Sequence, residues 1–388
     1  MKIFEQAYNK AINILEYCAK PYGFNASGLK GGYESLWARD SMITSLGASL
    51  INTKDTKFKD TFQKSLELLS KYQSPLGQIP NAIGDYNIDR KSKITFNTID
   101  STLWYIIGNF IYAKAYNDKT LMTKYQKNIN KAFLWLKYQD PNEDSLLAQQ
   151  PTMDWQDAFP HKYGRTINTH ALYYAALNMS GQKKLARRVK KVINGDIEKY
   201  LSLYDEKLGY YLPWAWKNHD EDQEKEEWFD TLGNLLAIVT GLATPKIAKS
   251  ILKHIEDKEI NKPYPCKAIF PIIKTGDKEW HSYFSECLAK DPYQYLNGGI
   301  WPFIGAFYVV ALIKVKDYKK AEKELNNLAK ANKLGKEREW EFNEWLDGKS
   351  GEPKGNIYQG WSAGAYIYAF ECLKKRETFF EYINTSLS

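Results

Sequence analysis

Hydrophobic positions recur at three-to-four spacing along most of the chain, the period of an amphipathic helix. Ile3, Phe4, Ala7, Tyr8, Ala11, Ile12 and Leu15 make the first stripe, which Pro21-Tyr22-Gly23 ends. SMITSLGASLI, FQKSLELLSKYQ, TIDSTLWYIIGNFIYAKAY and KTLMTKYQKNINKAFLWLKYQ follow, then THALYYAALNMS and KKLARRVKKVINGDIEKYL. The second half adds LLAIVTGLA, PKIAKSILKHIED, FIGAFYVVALIKV, KKAEKELNNLAKA and QGWSAGAYIYAFECLKK. The pattern therefore predicts about twelve helices and no convincing strand run. Long aromatic loops alternate with short polar turns, so the helices pair as hairpins. Six hairpins define an all-α (α/α)6 toroid whose long loops line a cleft at one end. No linker divides residues 1–388, which are expected to form a single catalytic domain. No tandem repeat is visible, so the toroid rests on helix count and loop alternation.

Composition narrows the classes. At 388 residues with 44% hydrophobic and 26% charged residues, the chain reads as soluble and globular. The aromatic share is 15%, with 12 Trp and 28 Tyr; aromatic rings stack on sugar CH faces but also fill cores. The net charge of +8 comes from scattered Lys, for only seven of the 54 basic residues are Arg. No basic stripe suggests a nucleic-acid groove. The four cysteines are far apart, as in reduced thiols of a cytoplasmic protein. The N-terminal stripe is not a signal peptide, and no apolar run reaches membrane-spanning length. No nucleic acid, membrane, metal or cofactor is expected, and the oligomeric state is open. The run HDEDQEKEEW reads as a solvated surface loop.

The chemistry concentrates in carboxylates set among aromatics. TMDWQDAFP holds Asp154 beside Trp155, with Phe159 close behind. A carboxyl among rings is desolvated and keeps its proton nearer neutrality. Asp154 is thus the candidate general acid. Its partner should come from another loop, and Glu344, between Asn343 and Trp345, is preferred over Glu337, Glu339 and Glu341. Arg39 and Arg165 offer planar donors inside aromatic motifs. Asp40 could instead be a helix cap and Asp100 a residue of a helix first turn. GWSAG at Gly360–Gly364 matches a nucleophile elbow, but it lies in a helical pattern with no later histidine. The five histidines lack metal-binding spacing.

An ordered set of segments carries a resemblance across almost the whole chain. LWARDSMITSLGA, IDSTLWYI, TMDWQDAF with GRTINTHALYYAAL, FDTLGNLLAIVTGLA, NGGIWPFIGAFYVVAL and FNEWLDGKSGEPKGNIYQGWSAG resemble the (α/α)6 glycoside hydrolase clan. That clan contains neutral/alkaline invertases, the glucosidase domain of glycogen debranching enzymes and processing α-glucosidases. The resemblance implies Asp154 as acid and Glu344 as base. It implies Trp37, Arg39, Asp40 and Asp100 as parts of a terminal-sugar pocket, with Trp301, Gln359 and Trp361 nearby. Trp155 and Arg165 belong to the same expected site. Asn168 and His170 stand where the invertases and debranching enzymes carry a Glu two residues before Gln or Asn. That departure should alter which hydroxyls are gripped.

The expected function is hydrolysis of an α-linked glucoside-type small saccharide or oligosaccharide branch, with inversion. The alternatives are invertase-like cleavage of sucrose, a histidine-dependent sugar epimerase or isomerase, and a non-catalytic carbohydrate-binding protein.

Overall fold

The computed structural model describes residues 2–51, 56–84, 92–197, 200–216 and 224–380. His219 and positions 220–223 of the acidic run after it lie outside these residues; in the described remainder, Glu224–Lys225 form a short strand and Glu226 is buried. The helices of the first half are α1 (Ile3–Cys18), α2 (Ala38–Ala48), α3 (Lys57–Lys71), α4 (Ile99–Ala115), α5 (Thr120–Lys124), α6 (Gln126–Lys137) and α7 (Ile167–Met179). Those of the second are α8 (Lys183–Ile193), α9 (Thr231–Thr240), α10 (Pro245–Asp257), α11 (Pro302–Lys314), α12 (Tyr318–Lys333) and α13 (Gly360–Lys375).

Two kinds of helix follow from two kinds of pattern. α2, α4, α7, α9, α11 and α13 carry apolar or small residues on every face and are buried over almost their full length. A helix without a polar face must be covered on all sides. These six form an inner ring in which each touches the next, and α13 returns to α2. The outer helices bury a single face. In α8, Ala186, Val189, Val192 and Ile193 turn inward, while Lys183, Lys184, Arg187 and Lys191 face water. Burying each large aliphatic side chain contributes about 1.5–3 kcal/mol. The ring closes tightly where α2 crosses α13. A Cβ on Gly47 would collide with the Gly364 carbonyl, so this crossing requires hydrogen at Gly47.

The fold is the expected (α/α)6 toroid, with two local differences. The helix expected across KTLMTKYQKNINKAFLWLKYQ breaks at Tyr125, where φ −102° and ψ 19° separate α5 from α6. Strands do occur, but among the described residues each is only two or three residues long, too short to show a period of two. They stitch the long loops together. Leu36–Trp37 pairs with Ala82–Ile83, Arg165–Thr166 with Trp214–Trp216, and Phe229–Asp230 with Ile269–Phe270. A bridge from Ser27 to Gln359 ties the first loop to the last.

Connections from an inner to an outer helix are short, as at 180–182, 241–244 and 315–317, whereas those entering inner helices are long. The long loops consequently gather at the N-terminal ends of the inner ring. Among the described residues, no helix is long and apolar enough to cross a membrane.

Candidate active site

A compact cavity of about 80 Å³ opens at the loop end of the ring. Trp37, Arg39 and Asp40 reach it from the start of α2, Trp301 from just before α11, and Gln359 and Trp361 from the start of α13. The loops between helices supply Tyr33, Trp155, Asp157, Tyr295 and Glu344. Residues scattered from 26 to 361 thus converge on one site.

The aromatic wall is one interlocked set. Trp361 stacks on Phe303 at 4.1 Å, and Trp301 meets Trp155 and Trp361 edge-on at 5.6 and 5.7 Å. Arg39 lies 5.8 Å from the Trp361 ring. Its guanidinium is gripped from behind by Asp100, at 3.2 Å, and stands 3.7 Å from Asp40. Burial opposes that charge, but Asp100, Asp40 and Asp157 outweigh it and keep Arg39 protonated.

Among the described residues, three carboxyl groups face the cavity, and all bind protons more tightly than usual. Burial pushes Glu344 up to about 7, aided by the negative charges of Asp40 and Asp157 and opposed by bonds from the Asn356 amide (2.9 Å) and Tyr33 hydroxyl (3.3 Å). Burial likewise raises Asp40 to about 7 and Asp157 to about 6, each partly offset by Arg39. Groups this close share their protons, so their titrations belong to the cluster. The side-chain amide of Gln359 and the indole N–H groups of Trp155 and Trp361 have no hydrogen-bond partner among the described residues. A hydroxyl-bearing ligand can satisfy such groups, each of which costs about 1–3 kcal/mol if left unpaired.

Several expected site residues stand elsewhere. Asp154 does not line the cavity; it is fully buried, 2.8 Å from the Lys162 ammonium, and accepts a bond from the Gln156 amide at 2.9 Å. The residue three places on, Asp157, takes the cavity position. Asp100 backs Arg39 without reaching the cavity. Arg165 pairs with Asp144. His170 is locked behind the wall: its Nδ1 lies 2.8 Å from the Thr166 carbonyl, and its Nε2 accepts from the Leu147 amide at 3.2 Å. Burial brings it down to about 4, so it is neutral. Asn168 is buried on the same helix, α7, and does not line the cavity either. The departure at 168 and 170 therefore does not touch the described cavity wall. Asp40 lies inside the first turn of α2, not at its cap, which is Trp37.

The choice between Glu341 and Glu344 is made by backbone geometry. Trp340 and Phe342 adopt φ values of 66° and 47°, so the chain twists sharply around Glu341. That carboxylate turns away to accept the amides of Lys336, Glu337 and Arg338 at 2.7, 3.0 and 3.0 Å. Glu344 turns into the cavity. The GWSAG serine, Ser362, sits within α13 and donates to the Asn343 carbonyl at 3.3 Å, so it is no nucleophile elbow. Tyr33, Asp157 and Tyr295 were not anticipated. Asp157 shares the signal assigned to Asp154, a carboxylate beside Trp155 and Phe159; Tyr33 and Tyr295 carry none.

This fold is that of the (α/α)6 glycosidases. A mannosylglycerate hydrolase from Thermus thermophilus in complex with glucose superposes with a TM-score of 0.66 at 13% identity, over 93% of this chain and 99% of that one. A rhamnosidase from Klebsiella oxytoca with rhamnose bound gives 0.63 at 12% identity, over 94% and 63%. In sequence, residues 191–376, a little under half of the chain, match the alkaline and neutral invertase family model. The probable alkaline/neutral invertase A, chloroplastic, of Arabidopsis thaliana is 30% identical over 151 residues, 38% of this chain and 23% of that protein. Cytosolic invertase 1 of Oryza sativa subsp. japonica is 32% identical over 148 residues, 37% and 25% of the two. The matched stretch thus spans about a quarter of these relatives' length. The family match includes Glu344 but not Asp157.

Proposed function

We propose that the protein is a glycoside hydrolase that removes a terminal sugar from a small α-glucoside, with Asp157 as general acid and Glu344 as general base. One observation carries this reading: two acids with raised proton affinity, from separate loops, face a single aromatic-lined cavity. Asp157 gives its proton to the glycosidic oxygen as the bond to the anomeric carbon breaks. Glu344 takes a proton from the water that attacks that carbon on the opposite face, and the products are two free hydroxyl compounds. Arg39, Gln359 and the tryptophans grip the sugar hydroxyls and ring faces. Inversion is proposed, which requires room for a water between base and sugar. The names of the sequence relatives make sucrose one candidate among other α-glucosides.

No histidine is among the described residues lining the cavity, so the epimerase reading, which rests on histidine proton transfer, has less support. The test is a screen of sucrose, maltose, isomaltose, trehalose and glucosylglycerate, read by free hexose, with proton NMR following the released anomer. Hydrolysis with β-glucose as first product is expected, and Asp157→Asn should lower turnover by about 10²- to 10⁴-fold. Sugar binding without cleavage, or an Asp157→Asn protein as active as wild type, overturns the assignment.

A further inference from the structure

Lys162 is fully buried, yet it is a lysine. Its ammonium lies 2.8 Å from Asp154, 3.1 Å from Asp230 and 2.6 Å from the Gln156 side-chain oxygen. Asp154 and Gln156 belong to the turn that delivers Asp157. Asp230 belongs to a different connection, where it caps α9 by accepting the Gly233 amide at 3.1 Å. A single cation therefore ties the loop of Asp157 to the rigid start of an inner helix. Asp154 completes the turn by accepting the Gln156 amide. Two residues beyond Asp157, Phe159 packs on Phe284 at 4.5 Å.

Stability alone is a weak reason for this arrangement. Desolvating an ammonium and two carboxylates is costly, and well-packed apolar replacements of buried ion clusters are often neutral or stabilising. What a charged cluster supplies beyond packing is direction, because its hydrogen bonds hold only in a narrow geometry. Direction is what an acid needs, since its proton must meet one lone pair of the leaving oxygen.

We propose that Lys162 is a positioning residue for the acid: by bridging Asp154 and Asp230 it sets the orientation of Asp157 toward the glycosidic oxygen. This rests on the reading of Asp157 as the acid. It also gives Asp154 a role, as the near anchor of the bridge.

The test uses two substrates that differ in their need for an acid. When α-D-glucosyl fluoride is hydrolysed, fluoride departs from the anomeric carbon without protonation, whereas the saccharide cleaved in the screen above, whose α-glucosyl unit is the same, needs a proton on its leaving oxygen. Asp157→Asn is the reference; it should lose about 10²-fold or more on the saccharide and little on the fluoride. Lys162→Met should show the same pattern more weakly, with kcat on the saccharide down about tenfold or more, KM unchanged and fluoride hydrolysis close to wild type. If Lys162→Met shows no cooperative unfolding transition, Lys162→Met/Asp154→Asn/Asp230→Asn, which removes all three charges together, takes its place. Equal losses on both substrates, a change confined to KM, or no change overturns the role of Lys162. An Asp157→Asn protein with full saccharide turnover overturns the acid assignment instead, so the two failures are distinct.

Discussion

Glu341 and Glu344 are three residues apart and chemically identical, yet amide substitution should separate stability from activity between them. The Glu341 carboxylate accepts three backbone N–H bonds, at 2.7, 3.0 and 3.0 Å. A hydrogen bond to a charged group contributes roughly 1.5–3 kcal/mol against about 0.5–1.5 for a neutral one. Glu341→Gln weakens all three and turns an amide NH2 toward backbone donors, so a loss of about 2–4 kcal/mol is expected. Unfolding entropy for 388 residues is roughly 0.8 kcal/mol per kelvin, which converts that loss into a fall in Tm of about 3–5 °C. The folded fraction should keep near wild-type kcat at 25 °C. Glu344→Gln should do the reverse, leaving Tm at or above wild type while turnover falls by at least about 10²-fold. Differential scanning calorimetry and initial rates on the same preparations decide the matter. A Glu341→Gln protein with unchanged Tm and abolished turnover, or an active Glu344→Gln protein, would refute the geometry argued for this loop.

The cavity acids also predict a pH dependence of stability. Burial pushes Glu344 up to about 7 in the fold from an ordinary value of 4.5, so the folded cluster binds protons more tightly than the unfolded chain. The stabilisation is complete below about 4.5 and is lost as pH rises through about 7. Replacing the carboxyl removes that loss, so the Tm of Glu344→Gln relative to wild type should be higher at pH 8 than at pH 5; a difference independent of pH would count against a buried, proton-holding Glu344. Trp361→Phe keeps the stack on Phe303 but deletes an indole N–H that has no partner among the described residues. Stability should change little while KM rises about tenfold, the equivalent of one hydrogen bond to a sugar hydroxyl; unchanged saturation kinetics would show that this N–H does not contact substrate. Gly47→Ala forces a methyl against the Gly364 backbone, which cannot rotate away as a side chain could. A loss of about 1–3 kcal/mol in urea unfolding is expected, and wild-type stability would mean that α2 and α13 cross less closely.

The toroid itself was legible from the count of helices and the alternation of long loops with short turns. The ring then sorts the helices into two kinds, for α8 shows a sharp amphipathic stripe and lies outside, while α11 shows none and lies inside. Long loops into inner helices and short turns out of them placed the cleft at one end. Trp37, Arg39, Asp40, Trp155, Trp301, Glu344, Gln359 and Trp361 were expected at the site, and they line the cavity.

The sequence by itself thus determined the helices, their pairing and the aromatic, acidic character of one end, since these depend on local period and on which faces must avoid water. Only the tertiary structure decided which of two neighbouring carboxylates enters the cavity. Asp154 and Asp157 share the same aromatic surroundings along the chain, but Lys162, folded back onto Asp154 and Asp230, claims the first and leaves the second facing inward. Glu341 and Glu344 are separated the same way, by two left-handed backbone residues and three amides. His170 is disposed of by the carbonyl of Thr166 and the amide of Leu147. In each case the deciding partner is a buried charge or a backbone dipole brought close by the ring's closure, and neither leaves a periodic trace in the order of residues.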